Sequence, residues 1–184
     1  RTGFAVGSIS GSNGELSAVY KTTNGGISWD LLNFPYFQST ALDAVAFPDS
    51  SNGWVAGSHG QIYRTYDGGK TWTWQNSGTI RTISSLCFIN ADEGWATGGW
   101  GDGYQYLVLK TVDGGTSWQN LSFGNTAFSC ADIFFTDSNH GWLCGQDNQI
   151  LPQIHHTSDG GATWTRQDLP FSGANGEVTR VRFA

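Results

Sequence analysis

The stretch RTYDGGKTW, residues 64–72, occurs in four similar copies along this chain of 184 residues. The other three copies are KTTNGGISW (residues 21–29), KTVDGGTSW (residues 110–118) and HTSDGGATW (residues 156–164). Each copy ends in a tryptophan, and these tryptophans are separated by 43, 46 and 46 residues. A motif that returns at such an interval predicts one structural unit that is repeated along the chain.

Each copy places an Asx-Gly-Gly group between two segments with high β propensity. GQIYRT and TWTWQN flank the second copy, and YLVLKT and SWQNLS flank the third. Asx-Gly supplies the positive φ angles that a tight turn requires, and the Asx side chain accepts hydrogen bonds from backbone amides. Each copy is therefore predicted to form the turn of a β-hairpin.

A second pair of strands is predicted before each of the last three copies. The segments ALDAVAFPDSSNGWVAG, TISSLCFINADEGWATG and SCADIFFTDSNHGWLCG align as strand, polar turn and strand. Two apolar columns, spaced by two residues, are expected in the core: Val45, Leu86, Ile133 and Val181, then Phe47, Phe88, Phe135 and Phe183. Four short antiparallel strands per repeat predict an all-β fold, a β-propeller built of four-stranded blades.

The segment SDGGATW, residues 158–164, resembles the Asp box, SxDxGxxW. The chain thus resembles the bacterial neuraminidase repeat propellers, and FPDSSNGWVAGSHGQIYRTYDGGKTW is most similar to the photosystem II assembly-factor-like repeat family. The first copy departs from the pattern, since Asn24 stands where the family has Asp. The resemblance implies a structural role, remote from any catalytic group, for the box residues Asn24, Trp29, Asp67, Trp72, Asp113, Trp118, Asp159 and Trp164.

The blades are predicted at about residues 1–38, 39–79, 80–126 and 127–176, with a closing strand at 177–184. The opening GFAVG aligns with a second strand, and the final EVTRVRFA aligns with a first strand.

Two arrangements remain open: a closed four-bladed ring, in which the final strand completes the first blade, and an arc of a larger propeller. The ring predicts that Arg180 pairs with Asp132. The arc predicts exposed blade faces and self-association. The absence of methionine suggests an excised piece.

Loop length indicates where a binding site is expected. From the second-strand aromatic residue to the threonine of the box there are 11 residues in the second blade, but 18, 16 and 15 in the others. The longest informative insert is GGWGDGYQY, residues 98–106. Trp100, Tyr104 and Tyr106 are predicted to form an aromatic platform for a sugar or a peptide, with Asp102 as a hydrogen-bond acceptor. The plainer alternative places Tyr106 in a strand and Trp100 over a blade edge.

Composition argues against several classes of protein. A net charge of −6, with nine scattered Lys and Arg residues, argues against nucleic acid binding. No apolar run reaches the length needed for membrane insertion. Three cysteines without metal-site spacing predict no metal and no cofactor, although a disulfide between Cys130 and Cys144 is left open. His155 and His156 are expected to point to opposite faces of a strand.

The sequence therefore predicts a non-catalytic scaffold or binding module that grips a protein partner, with no catalytic residues. The alternative is a carbohydrate-binding or sialidase-like glycoside hydrolase segment, which would take a glycan. A sialidase site needs clustered arginines and a tyrosine nucleophile, whereas the arginines here are dispersed along the chain. The resemblance also implies a secreted, periplasmic or lumenal location.

Overall fold

The computed structural model describes residues 1–11, 14–35, 40–99, 107–121, 128–147, 149–170 and 176–183. Its strands form four antiparallel sheets, which are the blades of a partial β-propeller. Blade one contains β1 (Gly3–Gly11), β2 (Gly14–Thr22) and β3 (Asp30–Leu31). Blade two contains β4 (Leu42–Ala46), β5 (Gly53–Gly57), β6 (Gln61–Thr65) and β7 (Thr73–Asn76), with a short 3-10 turn at Ser58–Gly60.

The other two blades repeat the same order of strands. Blade three contains β8 (Ile83–Phe88), β9 (Gly94–Gly98), β10 (Leu107–Thr111) and β11 (Gln119–Asn120). Blade four contains β12 (Phe128–Phe135), β13 (Gly141–Asp147), β14 (Pro152–Thr157) and β15 (Thr165–Gln167). Consecutive strands are neighbours in every sheet, so each blade is a simple meander.

This meander gives each blade two distinct ends. One end, the turn face, carries the turns between the first and second strands and the Asp-box turns between the third and fourth strands. The opposite end, the loop face, carries the connections between the second and third strands and the links from one blade to the next. Strands alternate in direction, so these two groups of connections stay on opposite ends in all four blades.

The hydrophobic core lies between consecutive blades. Val19, Phe34 and Val55 belong to the cluster that joins blades one and two. The next two clusters contain the residues of the aligned columns, including Leu86, Phe88, Ile133 and Phe135, all at most 9% exposed. Val45 and Phe47 are half-buried because they pack against blade one, which has only three strands. Apolar side chains buried face to face between sheets are what a propeller requires.

Residues 176–183 differ from the prediction of a closing strand. They form no regular strand, and β1 remains at the edge of its sheet. Among the described residues, no backbone hydrogen bond joins them to β1. Instead they lie against blade four, where Gly176 N donates to Ile150 O and Val178 N to Gly145 O. The described residues therefore have the open-arc arrangement.

Two further predictions about this end of the chain need correction. Arg182, and not Arg180, forms the ion pair with Asp132, because the segment is not in the register of a regular first strand. Phe183, expected in the core, is 48% exposed.

The disulfide left open by the sequence is not formed: Cys130 lies opposite Gly145 and Cys144 opposite Asp132, with a bulge between these pairs.

Candidate functional site

The Asp-box turn is held by side-chain hydrogen bonds that recur in each blade. In blade two, Thr65 Oγ1 donates to Asp67 Oδ1 at 2.8 Å and accepts from Gly69 N at 2.9 Å. The Asp67 carboxylate also accepts from Thr71 N at 2.9 Å and from Thr71 Oγ1 at 2.7 Å. Gly68 and Gly69 have φ angles of 68° and 87°, which explains the paired glycines of the motif.

The hydrogen bonds of the turn stabilise the ionised form of its carboxylate. The pKa of Asp67 falls to about 2, mainly because of the bonds from the Thr71 side chain and amide. Asp159 also has a pKa of about 2, for which the Thr163 side chain and amide are the main causes. The pKa of Asp113 is lowered in the same way by Ser117. These carboxylates are therefore ionised, and their oxygens accept hydrogen bonds within the turn.

The first copy forms the same turn with an amide. Thr22 Oγ1 donates to Asn24 Oδ1 at 2.9 Å, and Ser28 N donates to the same oxygen at 3.0 Å. The remaining contact is reversed, since Asn24 Nδ2 donates to Ser28 Oγ at 2.8 Å. The departure of Asn24 from the family pattern thus leaves the geometry of the turn intact.

The turn also joins consecutive blades, as blades two and three show. Trp54 stacks on Phe88 with the ring centroids 3.7 Å apart, and its Nε1 donates to the Gly114 carbonyl at 3.0 Å. Arg64 lies over the Trp54 ring at 4.7 Å and donates to the same carbonyl at 2.8 Å. Trp118 packs edge-on against Phe88 at 6.0 Å. We call this arrangement the interblade contact set.

The contact set recurs at the other two interfaces. The stacked pairs are Phe4 with Phe47 at 3.6 Å and Trp95 with Phe135 at 3.6 Å. The cation over the aromatic ring of the earlier blade is Lys21 over Phe4 at one interface and Lys110 over Trp95 at the other. The bonds to the first box glycine are Lys21 Nζ to Gly68 O at 2.6 Å and Trp95 Nε1 to Gly160 O at 3.0 Å. The tryptophans packed edge-on are Trp72 and Trp164.

Three of the four box tryptophans are therefore half-buried, each edge-on against the phenylalanine of its own blade, in a core that is shared with the preceding blade. Trp29 differs: it is 44% exposed, because among the described residues blade one has only three strands and lacks the phenylalanine that packs on the other box tryptophans. The sequence did not predict that the neighbouring blade contributes to the same core. The signal that sequence reasoning missed is the basic residue or histidine directly before each box threonine, namely Lys21, Arg64, Lys110 and His156.

The predicted aromatic platform lies outside the described residues, and this applies to Trp100, Asp102, Tyr104 and Tyr106. The strands that flank it are described: β9 ends at Gly98 and β10 begins at Leu107, both at the loop face. Two other apolar side chains project from the loop face. Ile80 is 79% exposed, and Ile150 is 47% exposed with a φ of 60°, which is unusual for a β-branched residue.

Blade four carries a polar network near the loop face that sequence reasoning missed. Gln153 Nε2 donates to Asp147 Oδ2 at 2.7 Å, and Gln153 Oε1 lies 3.0 Å from His155 Nε2. Burial, with the positive charge of Arg166, lowers the pKa of His155 to about 4. Neutral His155 therefore packs inside the blade interface, while His156 points to the opposite face and contacts Trp142.

A buried carboxylate holds residues 176–183 against blade four. Asp132 is 1% exposed, and it accepts a hydrogen bond of 2.6 Å from Ser85 Oγ of blade three. It also accepts from Val181 N at 3.0 Å and pairs with the Arg182 guanidinium. Both oxygens of the carboxylate are therefore satisfied by protein groups.

In the described part of the chain, no three His, Cys, Asp or Glu side chains come together as ligands for one metal ion. No helix in that part is long and apolar enough to cross a membrane. Burial raises the pKa of Cys130 and Cys144 to about 12, so their thiols are protonated.

The repeated turns and interblade contacts define the protein as an Asp-box β-propeller. Residues 21–128 match the family model of the photosynthesis system II assembly factor YCF48, and the chain belongs to that family. It is 29% identical, over 147 residues, to the photosystem II assembly lipoprotein Ycf48 of Synechococcus sp. (strain CC9902). That alignment covers 78% of this chain and 41% of the relative, so the chain spans about two fifths of the relative's length.

Solved structures agree on the fold. A structure described as YCF48 bound to D1 peptide aligns with a TM-score of 0.57 and 24% identity, over 68% of this chain and 39% of that one. An ancestral GH74 enzyme aligns with a TM-score of 0.66 and 23% identity, over 88% of this chain and 23% of that one. At these identities the similarity establishes the architecture and carries no information about activity.

Proposed function

We propose that this chain is a non-catalytic propeller module that binds an extended segment of a partner protein during photosystem II assembly. The observation that carries the proposal is membership of the YCF48 family across residues 21–128, together with a member solved in complex with a D1 peptide. The Asp boxes have a structural role in this proposal, since their polar groups are used within the turns and at the blade interfaces.

The loop face is the proposed binding surface. Loops on a rigid scaffold are where binding residues concentrate, and this face presents the exposed side chains of Ile80 and Ile150. The strained backbone of Ile150 supports the same assignment, because unusual φ angles cluster at binding sites. Trp100, Asp102, Tyr104 and Tyr106 belong to the proposed surface through the connection between β9 and β10. An apolar and aromatic surface suits a peptide with apolar anchor residues.

Calorimetric titration of the D1 peptide into the 184-residue protein tests this proposal. We expect binding, and we expect the double variant Ile80→Ser/Ile150→Ser to weaken it about tenfold, which corresponds to about 1.4 kcal/mol. The matched control is Val112→Ser, which removes a side chain that is 69% exposed on the turn face. No binding of the peptide would contradict the proposed function. Equal weakening by the control would contradict the assignment to the loop face.

Carbohydrate binding or glycoside hydrolysis is the second candidate. Its support is the fold shared with GH74 enzymes and the aromatic character of residues 98–106. Release of a chromophore from aryl glycosides, or retention on immobilised xyloglucan, would favour it over peptide binding. We place the protein outside the cytoplasm, in a periplasmic or lumenal compartment, because the relatives are named lipoproteins.

A further inference from the structure

Blade four buries two polar side chains at positions where blade three buries leucines. Gln153 and His155 precede the box threonine of blade four by four and two residues, as Leu107 and Leu109 do in blade three. All four side chains are at most 7% exposed, and the leucines belong to the core between blades two and three. Replacing a buried polar pair by apolar groups is often neutral or stabilising. The core alone therefore does not require a glutamine and a histidine at these positions.

The two polar side chains form a chain of hydrogen bonds that ends in a turn at the loop face. Gln153 Nε2 donates to Asp147 Oδ2 at 2.7 Å, so its Oε1 accepts from Nε2 of the neutral His155 at 3.0 Å. The other carboxylate oxygen, Asp147 Oδ1, accepts from Gln149 N and Leu151 N, each at 2.9 Å. Each group fixes the orientation of the next. We call Asp147, Gln153 and His155 the polar relay.

The turn held by the polar relay gives Ile150 a backbone conformation that isoleucine rarely adopts. Its φ of 60° lies in the left-handed region, which disfavours a β-branched side chain. Its N donates to Asp147 O at 3.0 Å, and its O accepts from Gly176 N at 2.9 Å. The side chain is 47% exposed, so it gains only part of the burial that a core isoleucine gains. Such conformations persist where the surrounding structure enforces them, and they cluster at binding sites.

Blade two shows that a positive φ in the corresponding connection can be held by other contacts. Its connection between the second and third strands contains the exposed His59, with a φ of 58°. Histidine tolerates this region better than isoleucine does. The turn is fixed from the link between blades one and two, since Ser58 N donates to Ala41 O at 3.0 Å. The polar relay thus accounts for the particular residue that blade four presents, the isoleucine.

We propose that Ile150 is a contact residue for an apolar anchor of the partner segment, and that Gln153 and His155 are positioning residues that hold it in place. This inference rests on the proposed function, because it concerns the same loop face. His155 contacts the Phe128 ring at 4.8 Å, and Phe128 belongs to the core between blades three and four. The two positioning residues therefore act from inside this interface without touching the partner. A side chain that is fixed before binding loses less conformational entropy when the partner docks.

The double variant Gln153→Leu/His155→Leu tests the positioning role, because it gives blade four the two leucines that blade three already buries. It should therefore fold, with a urea midpoint close to that of the wild type. Without the relay, Asp147 is no longer oriented toward the turn, and we expect hydrogen exchange at the Leu151 amide to become roughly tenfold faster. In calorimetric titration with the D1 peptide, we expect the affinity to fall about threefold, as far as in Ile150→Ser.

Gln61→Leu is the matched control. Gln61 stands four residues before the box threonine of blade two, as Gln153 does in blade four, but it lies outside the polar relay. It should change neither the exchange at Leu151 nor the affinity for the peptide. The triple variant, which adds Ile150→Ser to the two leucines, should bind no more weakly than Ile150→Ser alone, because the relay acts through Ile150.

Unchanged exchange at Leu151 in the double variant would overturn the positioning role. Wild-type affinity of Ile150→Ser or of the double variant would also overturn the inference, as would losses that multiply in the triple variant. These outcomes leave the proposed function intact, because the wild type still binds the peptide. Absence of binding by the wild type would contradict the proposed function instead, and the exchange at Leu151, measured without peptide, would still decide whether the relay holds the turn.

Discussion

Trp118 and Trp29 end the same motif, but they experience different environments. Both follow an Asx-Gly-Gly turn with the same hydrogen bonds from threonine to the Asx side chain. Trp118 packs edge-on against Phe88 in the core between blades two and three, whereas Trp29 is 44% exposed. The turn is thus a local structure, and the burial of its tryptophan depends on the phenylalanine of a first strand and on the core that two blades share.

This difference separates two contributions to the stability of a repeat protein. The turn is specified within nine residues and forms in every blade. The core forms only between blades, so each interface adds a nearest-neighbour term to the intrinsic stability of the blades. Substitutions at the interfaces should therefore be much more destabilising than substitutions at the exposed end.

The largest effect is expected for Trp54→Ala. Trp54 is fully buried, stacks on Phe88 and donates to Gly114 O, so its removal leaves a cavity and removes one of the hydrogen bonds to that carbonyl. We expect a loss of about 3–5 kcal/mol in the free energy of unfolding, measured by urea denaturation. Trp74→Ala, at an exposed tryptophan of the same blade, is the matched control. Equal losses for both variants would contradict the importance of the interface.

Trp118→Ala and Trp29→Ala test whether the two tryptophans contribute differently to the stability of the fold. Trp118 is half-buried, so we expect a loss of about 2–3 kcal/mol for its replacement, and less than about 1 kcal/mol for that of Trp29. The measurement is urea denaturation of both variants and the wild type under the same conditions. A loss at Trp29 as large as that at Trp118 would show that the turn itself requires the tryptophan.

The repeating part of the fold could be predicted from the sequence because each blade has the same pattern of strands and turns. The strands, the Asp-box turns and the buried columns at Leu86, Phe88, Ile133 and Phe135 follow from alternation and turn chemistry. The arrangement of residues 176–183 could not be predicted from the sequence. The alignment assumed that they pair as a regular first strand, whereas in the structure they form no regular strand. Arg182 consequently takes the position beside Asp132 that alignment gave to Arg180.

The candidate site was less accessible to sequence reasoning. Loop length directed attention to the loop face, but it does not state which side chains meet there. The network of Asp147, Gln153 and His155 lies beside a turn in which Ile150 has a positive φ. No local sequence pattern predicts that conformation for an isoleucine. The hydrogen bonds of the interblade contact set were missed because their donors and acceptors lie 47 to 65 residues apart in the chain.

Arg182→Ala tests the anchoring of residues 176–183, with Arg180→Ala as the control. Arg182 pairs with the buried Asp132, whereas the exposed Arg180 does not contact that carboxylate in the structure. We expect hydrogen exchange at the Val181 amide, which donates to Asp132, to increase by roughly tenfold in Arg182→Ala, because a charge-assisted contact is lost. Faster exchange only in Arg180→Ala would restore the pairing that alignment suggested.

The smallest effect at neutral pH is expected for Asp67→Asn/Asp159→Asn, which converts two boxes into the form that Asn24 already has. Asn24 shows that an amide supports the turn, so the urea midpoint at pH 7 should change little.

In the wild type both carboxylates have a pKa of about 2 when folded, below the value of about 3.9 in an unfolded chain. The folded protein then binds fewer protons, and the stability contributed by these groups is lost as the pH falls from about 4 to 2. The double variant has no carboxylate at these positions and should lose less stability in that window, which urea denaturation at several pH values measures. An acid dependence identical to that of the wild type would show that the box carboxylates do not stabilise the fold through their charge.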